Sequence, residues 1–193
     1  MPREKQFDRD EALAKAMRAF WARGYQATSV QDLVDCMGIN RGSLYATFGG
    51  KRHLFIQALR RYDARHRRAW VEALGTSPSA REAITGAFEQ VIEDVLEAGA
   101  RDGCLLVNTA LELSPHDPEI GRIVDHGLTE MEEFFRATLE RGRARGEIPA
   151  RLDPAETARS LLGLLIGLRV LSRSRPEPAL LRAIARQAAA LLG

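Results

Sequence analysis

Apolar residues recur at three- and four-residue spacing along most of the chain, a period that predicts helices. No stretch alternates apolar and polar residues between hairpin turn signals, so we expect no sheet. Glycine and proline breaks divide the chain into nine predicted helices. They run approximately over residues 8–23, 29–37, 40–48, 51–74, 79–98, 104–113, 118–145, 154–172 and 177–192. The sequence therefore predicts an all-α protein.

The third predicted helix is short and poor in apolar residues. Leu44 and Phe48 lie four positions apart and can hold one face against the core. The preceding capped helix and the turn near Gly38 complete a helix-turn-helix pattern, whose second helix enters the DNA major groove. The positions left on the outer face, free to meet DNA, are Arg41, Gly42, Ser43, Tyr45 and Thr47.

These outer residues have the chemistry that DNA recognition needs. Arg41 can donate a bidentate pair of hydrogen bonds to guanine O6 and N7. Ser43, Tyr45 and Thr47 are short or planar donors suited to phosphates or base edges. Lys51 stands at a predicted helix start, where its charge opposes the macrodipole, and a nearby phosphate would offset that penalty.

Charge is unevenly distributed along the chain, although the net charge is only +2. Residues 1–70 hold 14 Lys and Arg against 7 Asp and Glu, a balance of +7, which leaves −5 for the rest. A basic N-terminal part favours a polyanion as its partner. A solvated charged surface is the other interpretation of the same asymmetry.

Targeting and redox signals are absent from the sequence. The N-terminus has no apolar signal-peptide core, and no run of 18 apolar residues occurs. Two cysteines, Cys36 and Cys104, cannot form a disulfide framework and fit a reducing compartment. We expect a cytoplasmic protein that does not enter a membrane.

The segment TSVQDLVDCMGINRGSLYATFGGKRHLF resembles the DNA-binding signature of the TetR/AcrR family of transcriptional regulators, over roughly residues 10–60. The resemblance implies an all-helical homodimer, usually a repressor, with a DNA-binding domain at 1–50 and a ligand-binding and dimerisation domain at 51–193. The helix at about 51–74 would link the two. Thr47 departs from the family pattern, since many members carry His there. The family's DNA-contacting positions correspond here to Thr28, Arg41, Gly42, Ser43, Tyr45 and Lys51.

The segment GCLLVNTALELSPHDPEI is similar to that of a TetR subgroup responsive to electrophiles and oxidants. The resemblance implies that Cys104 can be a sensing thiol. Cys104 follows Gly103 at a predicted helix start, where N–H dipoles favour a thiolate, and Arg101 is close in sequence. The alternative is an inert, buried cysteine, which is how most free cysteines behave. We expect Cys36 to pack on the apolar side of the second helix.

A neutral or cationic apolar ligand could instead occupy a cavity among the fifth to seventh helices. Each candidate lining residue also has an ordinary interpretation as core or surface. His116, Asp117 and His126 have no tight ligand spacing, so we expect no metal and no cofactor. The candidates for the lining are Trp70, Asn108, Glu112, His126, Met131 and Phe134.

The apolar surface of the last two helices predicts a dimer. The segment SLLGLLIGLRVL is apolar around most of its circumference, and such a helix must be covered on more than one face. In the TetR family the two helices pair with their symmetry mates, while burial within the same chain is the alternative. The predicted interface residues are Leu161, Leu164, Leu165, Leu168, Leu181, Ile184 and Ala188.

Together these features predict a repressor that a small molecule, electrophile or oxidant releases from a palindromic operator. One alternative is an enzyme that uses Cys104 as its nucleophile and His126 or His116 as its base, although no catalytic signature flanks them. Another is a DNA-binding protein without an inducer. We expect no enzymatic activity.

Overall fold

The computed structural model describes residues 7–96, 99 and 102–193, which form nine helices and no strand. The predicted all-α fold with nine helices is confirmed. The predicted end of the fifth helix near residue 98, and Arg101, lie outside the described residues. The helices are α1 (Arg9–Arg23), α2 (Val30–Met37), α3 (Arg41–Phe48), α4 (Lys51–Tyr62, then Asp63–Arg67 and Arg68–Gly75), α5 (Ala80–Leu96), α6 (Leu105–Glu112), α7 (Pro118–Ala144), α8 (Pro154–Ser174) and α9 (Pro178–Ala190).

Side-chain caps explain where the short helices of the N-terminal part begin. Ser29 caps α2 and forms a capping box with Asp32. Asn40 Oδ1 accepts the backbone N–H of Ser43 at 2.7 Å and so starts α3. Gly38 ends α2 in the left-handed conformation, which suits glycine.

Helix α4 contains one π-helical turn, over Asp63–Arg67. The sequence predicted a single regular helix here. Asp63 and Arg67 are both buried, and the Arg67 guanidinium bonds Asp63 and also Glu130 on α7. Burial acts to lower the pKa of Arg67, but the two carboxylates outweigh it and raise the pKa. Single π turns of this kind occur often at functional sites.

Two hydrophobic cores organise the molecule. The first core joins α1–α4 to α6 and the start of α7, with Phe20 and Phe55 at its centre and Leu106 and Ile120 from the C-terminal part. The second core joins α5, the rest of α7, α8 and α9 around residues such as Phe135. The first core therefore extends beyond the helix-turn-helix and includes residues far away in sequence.

Polar contacts also connect α1 and α4 to the C-terminal part of the chain. The carboxylate of Glu112, at the end of α6, accepts the backbone N–H groups of Tyr25 at 3.0 Å and Gln26 at 2.7 Å. Arg52 at the start of α4 donates to Asp117 at 2.7 and 2.9 Å. These contacts fix the position of α1 and α4 against α6 and α7.

None of the helices in the described part of the chain combines the length and the apolar character needed to cross a membrane.

Candidate DNA interface and ligand cavity

Helix α3 is anchored on one face and open on the other. Leu44 and Phe48 are fully buried in the first core. Arg41, Gly42 and Tyr45 are exposed, whereas Ser43 and Thr47 are half-buried. The exposed face has one cation and one planar hydroxyl-bearing ring, which is a surface that can meet DNA.

The glycine pair after α3 makes room for the Tyr45 ring. Gly49 has φ +76° and Gly50 has φ +103°, both in the region that favours glycine. A Cβ on Gly50 would lie 3.3 Å from Tyr45 Cε1. The ring therefore lies against the glycine turn between α3 and α4, while 48% of the residue remains exposed.

Lys51 is the first residue of α4, as predicted, but it is not an isolated charge. Its Nζ lies 4.3 Å from the centroid of the Tyr25 ring, a cation–π contact. Desolvation lowers the pKa of Lys51, and the carboxylates of Glu112 and Asp32 act in the opposite direction. The ammonium is thus held at the junction of α1, α4 and α6.

Thr28, one of the positions that the resemblance matches to DNA contacts, has a buried side chain. The residue is fully buried, and its hydroxyl donates to the carbonyl of Gly24 at 2.7 Å. The structure therefore does not support a direct contact of this side chain with DNA. Its bond closes the turn that leads from α1 to α2.

A cavity of about 300 Å³ lies between the two cores. One wall comes from the first core and includes Trp21, Tyr62 and Leu106. The opposite wall belongs to the second core, with Trp70 and Met131 among its residues. Both walls meet at the π turn of α4, so the linker helix itself forms part of the cavity.

Of the six lining residues predicted besides Cys104, two line the cavity: Trp70 and Met131. Asn108 was predicted wrongly, because its side chain turns to the preceding loop and donates to the carbonyl of Asp102 at 2.9 Å. Glu112 was also predicted wrongly, since it is engaged with the backbone of the α1–α2 turn.

His126 and Phe134 likewise lie away from the cavity. His126 is exposed and belongs to a shallow groove of about 450 Å³ on another face, beside Arg60 and Arg122. Phe134 packs on the second core, with its ring 5.6 Å from that of Phe135. The apolar pattern of α7 could not distinguish a residue facing the core from one facing the cavity.

Cys104 lines the cavity and is half-buried at the N-cap position of α6. The hydroxyl of Tyr62 lies 3.4 Å from the Cys104 sulfur and donates to it. Burial, with the neighbouring thiol, raises the pKa of Tyr62 well above its usual range. Arg101, proposed to favour a thiolate, lies outside the described residues.

The expectation for Cys36 was wrong. Cys36 is exposed on α2 rather than packed on its apolar side. Its sulfur lies 3.4 Å from the carbonyl of Leu33. Partial desolvation raises the pKa of this thiol, and Asp32 adds to the rise while Arg23 opposes it.

Five predicted dimer residues are buried within their own chain. The apolar faces of α8 and α9 that carry them pack on α5 and α7, so those leucines and the alanine are covered already. This corrects the predicted interface at Leu161, Leu165, Leu168, Leu181 and Ala188. The other two, Leu164 and Ile184, are half-buried at the edge of the same core.

Most of the cavity residues were missed at the sequence level, and four of them have side chains that bear on a ligand: Trp21, Tyr62, His66 and Arg169. Arg169 had a visible signal, because it is the one charged residue in an otherwise apolar segment of α8. Trp21 and Tyr62 had only the spacing of ordinary core aromatics. His66 had no signal, since its direction depends on the π turn, which the sequence pattern does not predict.

The fold and the site define a helix-turn-helix DNA-binding protein with an internal cavity. Residues 12–58 match the family model for bacterial regulatory proteins of the tetR family, and residues 78–188 match the tetracyclin repressor-like C-terminal domain. The chain therefore belongs to the TetR family of transcriptional regulators. These are DNA-binding regulators and not enzymes, and neither His126 nor His116 lines the cavity with Cys104.

Individual relatives agree with this assignment. The uncharacterized HTH-type transcriptional regulator YezE of Bacillus subtilis (strain 168) is 36% identical over 148 residues, 77% of this chain and 76% of the relative. The HTH-type transcriptional repressor ComR of Escherichia coli (strain K12) is 33% identical over 89% of this chain and 82% of its own length. The TetR family regulator CifR, solved with three cysteines substituted and bound to 26-bp double-stranded operator DNA, superposes with a TM-score of 0.87. It is 33% identical and the match covers 99% of this chain and 100% of CifR.

Proposed function

We propose that this chain is a repressor whose operator binding is controlled by the occupant of the cavity between the two cores. The observation that carries the proposal is the course of α4. This helix begins directly after the exposed face of α3 and continues through the π turn into the cavity wall. A change in the cavity therefore reaches the DNA-binding helices through one continuous element.

We further propose that Arg41 reads a base edge while Tyr45, Ser43 and Thr47 contact phosphates or bases. The exposure of Arg41 and Tyr45 and the likeness to operator-bound CifR support this assignment. Gly42 would let the backbone approach DNA, and Lys51 would bind a phosphate at the start of α4. Thr28 has an indirect role, since its buried hydroxyl holds the turn before α2.

Control by the cavity would act through contacts between α1 and the cavity wall. Trp21 lines the cavity, and its Nε1 donates to the carbonyl of Gly103 at 2.9 Å. Arg173 on α8 donates to the carbonyl of Ala22 at 3.2 Å. An occupant that shifts this wall favours a conformer with α1 and α4 displaced, and it can shift the equilibrium only by its differential affinity.

The active species would be a homodimer that binds a palindromic site. The outward stripe of α8 supports this, because a Cβ placed on Gly163 or Gly167 would meet no atom of the described residues within 4 Å apart from its own stretch of helix, and Val170 is exposed. A twofold axis there would place two α3 helices about one helical turn of DNA apart, or a multiple of it. We also propose a cytoplasmic location and a division at residue 50 between the DNA-binding and ligand-binding domains.

Selection of bound sequences from random double-stranded DNA tests the proposal. We expect enrichment of an inverted repeat whose two halves are recognised equally, with binding that weakens steeply as salt rises. Enrichment of a single unrepeated half-site, or no enrichment, would contradict it. Sedimentation equilibrium of the Gly163→Glu variant checks the dimer, which this added charge should dissociate.

A second trigger, modification of Cys104, is favoured by one observation: its thiol opens into the same cavity. An α,β-unsaturated carbonyl compound would form a C–S bond at its β carbon, and the thiol proton would end on its α carbon. The chain contains two cysteines, so the test uses a Cys36→Ser background. There the reagent should release the operator, and the added change Cys104→Ser should abolish the response.

A further inference from the structure

Trp70, one of the cavity residues, has a hydrogen-bond donor that the described residues leave unsatisfied. Among the side chains of residues 7–96, 99 and 102–193, Trp70 Nε1 is a buried nitrogen without a hydrogen-bond partner. Native proteins pair nearly all such groups, so an exception calls for an explanation at the site where it occurs. Trp70 lines the cavity, and a molecule bound there can supply the acceptor.

The other tryptophan of the chain provides an internal contrast. The sequence has two tryptophans, and both line this cavity. Trp21 Nε1 already donates to the carbonyl of Gly103 at 2.9 Å. One indole N–H is therefore used within the protein, while the other has no partner among the described residues.

The charge next to Trp70 is positive. The Arg169 guanidinium lies 5.6 Å from the centroid of the Trp70 ring, and no carboxylate of the described residues pairs with it. Arg67 also lines the cavity, but Asp63 and Glu130 compensate it. Within the described part of the chain, the cation that an occupant meets uncompensated beside the indole is therefore Arg169.

Two carboxylates also line the cavity, but among the described residues neither forms an ion pair with Arg169. Asp102 is exposed, so solvent screens it. Asp94 is half-buried and accepts a hydrogen bond from Gln90 Nε2 at 3.1 Å. His66 is a cavity residue whose pKa is lowered by burial, with Arg61 and Arg65 adding to the effect, so its ring is neutral near pH 7.

The walls favour a flat aromatic molecule. Trp21, Tyr62 and His66 form a cluster in which the Trp21 and Tyr62 centroids are 4.9 Å apart at 77°. Leu106 and Met131 contribute apolar surface. A volume of about 300 Å³ is at the small end of ligand cavities, which suits one or two fused rings.

We infer that the cavity takes a planar aromatic carboxylate, with one oxygen accepting the Trp70 N–H and the anion lying beside Arg169. The inference rests on the proposed function and specifies its ligand class. It differs from the neutral or cationic ligand expected from the sequence, because the unpaired donor and the unpaired guanidinium of the described residues both require an acceptor.

The probe is 2-naphthoate, and the readout is the fluorescence of the two tryptophans. We expect saturable quenching by 2-naphthoate and at least tenfold weaker binding of 2-naphthylmethylammonium, which has the same rings but no acceptor oxygen. Trp70→Phe keeps an aromatic ring beside Arg169 and removes the donor. Trp21 then remains as the reporter, and the Kd for 2-naphthoate should rise about tenfold, as expected for one lost hydrogen bond to an anion.

Trp21→Phe is the matched control, with Trp70 as its reporter. Its indole N–H donates to the carbonyl of Gly103, so the Kd for 2-naphthoate should rise clearly less than in Trp70→Phe. Arg169→Gln should weaken 2-naphthoate about tenfold without weakening the ammonium probe. Urea unfolding of Trp70→Phe should show no loss of stability, because the variant removes an unsatisfied buried group.

Equal losses in the two tryptophan variants, or equal binding of the two probes, would overturn the inference. So would the absence of quenching at millimolar 2-naphthoate. Operator binding, measured on the same samples without probe, distinguishes a failure of the ligand class from a failure of the proposed function. If the operator binds normally and 2-naphthoate does not bind, the ligand class is wrong; if wild type binds no selected operator, the proposed function fails.

Discussion

The two hydrophobic cores differ in how they are assembled from the sequence. The second core is built from α5, α7, α8 and α9, which lie together in the C-terminal part of the chain. The first core takes α1–α4 and then adds Leu105, Leu106, Leu113, Ile120 and Val124 from α6 and α7. The DNA-binding helices are therefore packed directly on the segment that begins at Cys104.

This difference shows why the cavity is well placed for control. Trp21 and Tyr62 line it from the first core, while Trp70 and Met131 line it from the second. A molecule in the cavity contacts both cores at once, and it lies beside the π turn where α4 passes from one to the other. Any change in how the two cores fit together must alter this space.

The largest expected effect on stability comes from removing a buried aromatic ring from either core. Phe20→Ala removes a fully buried ring that meets Phe55 edge-to-face at 5.0 Å, and it should lower the free energy of unfolding by about 3–5 kcal/mol. Phe135→Ala in the second core is the matched variant, with the same expected loss. Urea denaturation followed by circular dichroism should show one shared transition in each case, and two separate transitions would mean that the cores unfold independently.

The ion pair at the π turn should contribute less. Asp63→Ala leaves the buried Arg67 with Glu130 alone, so we expect a loss of about 1–3 kcal/mol in the free energy of unfolding. Glu11→Ala breaks the exposed pair with Lys15 and should cost less than about 0.5 kcal/mol. Equal losses in urea denaturation of the two variants would mean that the π turn is not held by this pair.

A change on the outer face of α3 should affect DNA and leave both cores intact. Arg41→Ala should cost about 1–3 kcal/mol against the preferred operator and relax the base preference at one position per half-site. Its unfolding midpoint should equal that of wild type. Arg182→Ala, also exposed but on α9, is the control in fluorescence anisotropy with labelled operator variants. An unchanged ranking of operator variants would remove Arg41 from base reading.

Glu112→Ala tests the polar connection between the α1–α2 turn and α6. It removes the acceptor for the N–H groups of Tyr25 and Gln26, and because the bonds are partly exposed we expect a loss of about 1 kcal/mol in unfolding. The same variant should reduce the effect of 2-naphthoate on operator affinity. Glu140→Ala, which loses only an exposed pair with Arg136, should change neither quantity measurably.

The smallest effect is the pH dependence of the contact between α4 and α7. Hydrogen bonds from Arg52, aided by the backbone N–H groups of Ile120 and Glu119, lower the pKa of Asp117 to about 2. An unfolded aspartate has a pKa of about 3.9, so this stabilisation is present above about pH 4 and is lost as the pH falls through 2. The stability difference between wild type and Asp117→Asn should shrink between pH 5 and pH 2, and a constant difference would contradict it.

The sequence predicted the helices of the DNA-binding part well, because local signals determine where these helices begin and end. Asn40, Gly38 and the Leu44–Phe48 pair act within one or two helical turns, and periodicity detects such signals. The cavity could not be predicted in the same way. Its residues come from α1 and from α4–α8, and their directions depend on the π turn and on contacts over long sequence separations.

The predicted dimer residues show the same limit. A helix that is apolar on several faces must be covered on several faces, but the pattern does not say by what. Leu161 and Leu168 are covered by the second core of their own chain, while Gly163 and Gly167 are left outward. The packing of α8 on α7 separates the covered leucines from the outward glycines, and the sequence pattern does not show that packing.

Coupling between the cavity and the operator is the central property of the proposed repressor. The measurement is the Kd of the selected operator, by fluorescence anisotropy, with and without 2-naphthoate at a concentration that saturates tryptophan quenching. We predict that saturation raises the operator Kd by about tenfold or more, and that saturating operator raises the 2-naphthoate Kd by the same factor, as linkage requires. A cavity that is fully occupied while the operator Kd stays unchanged would contradict the account.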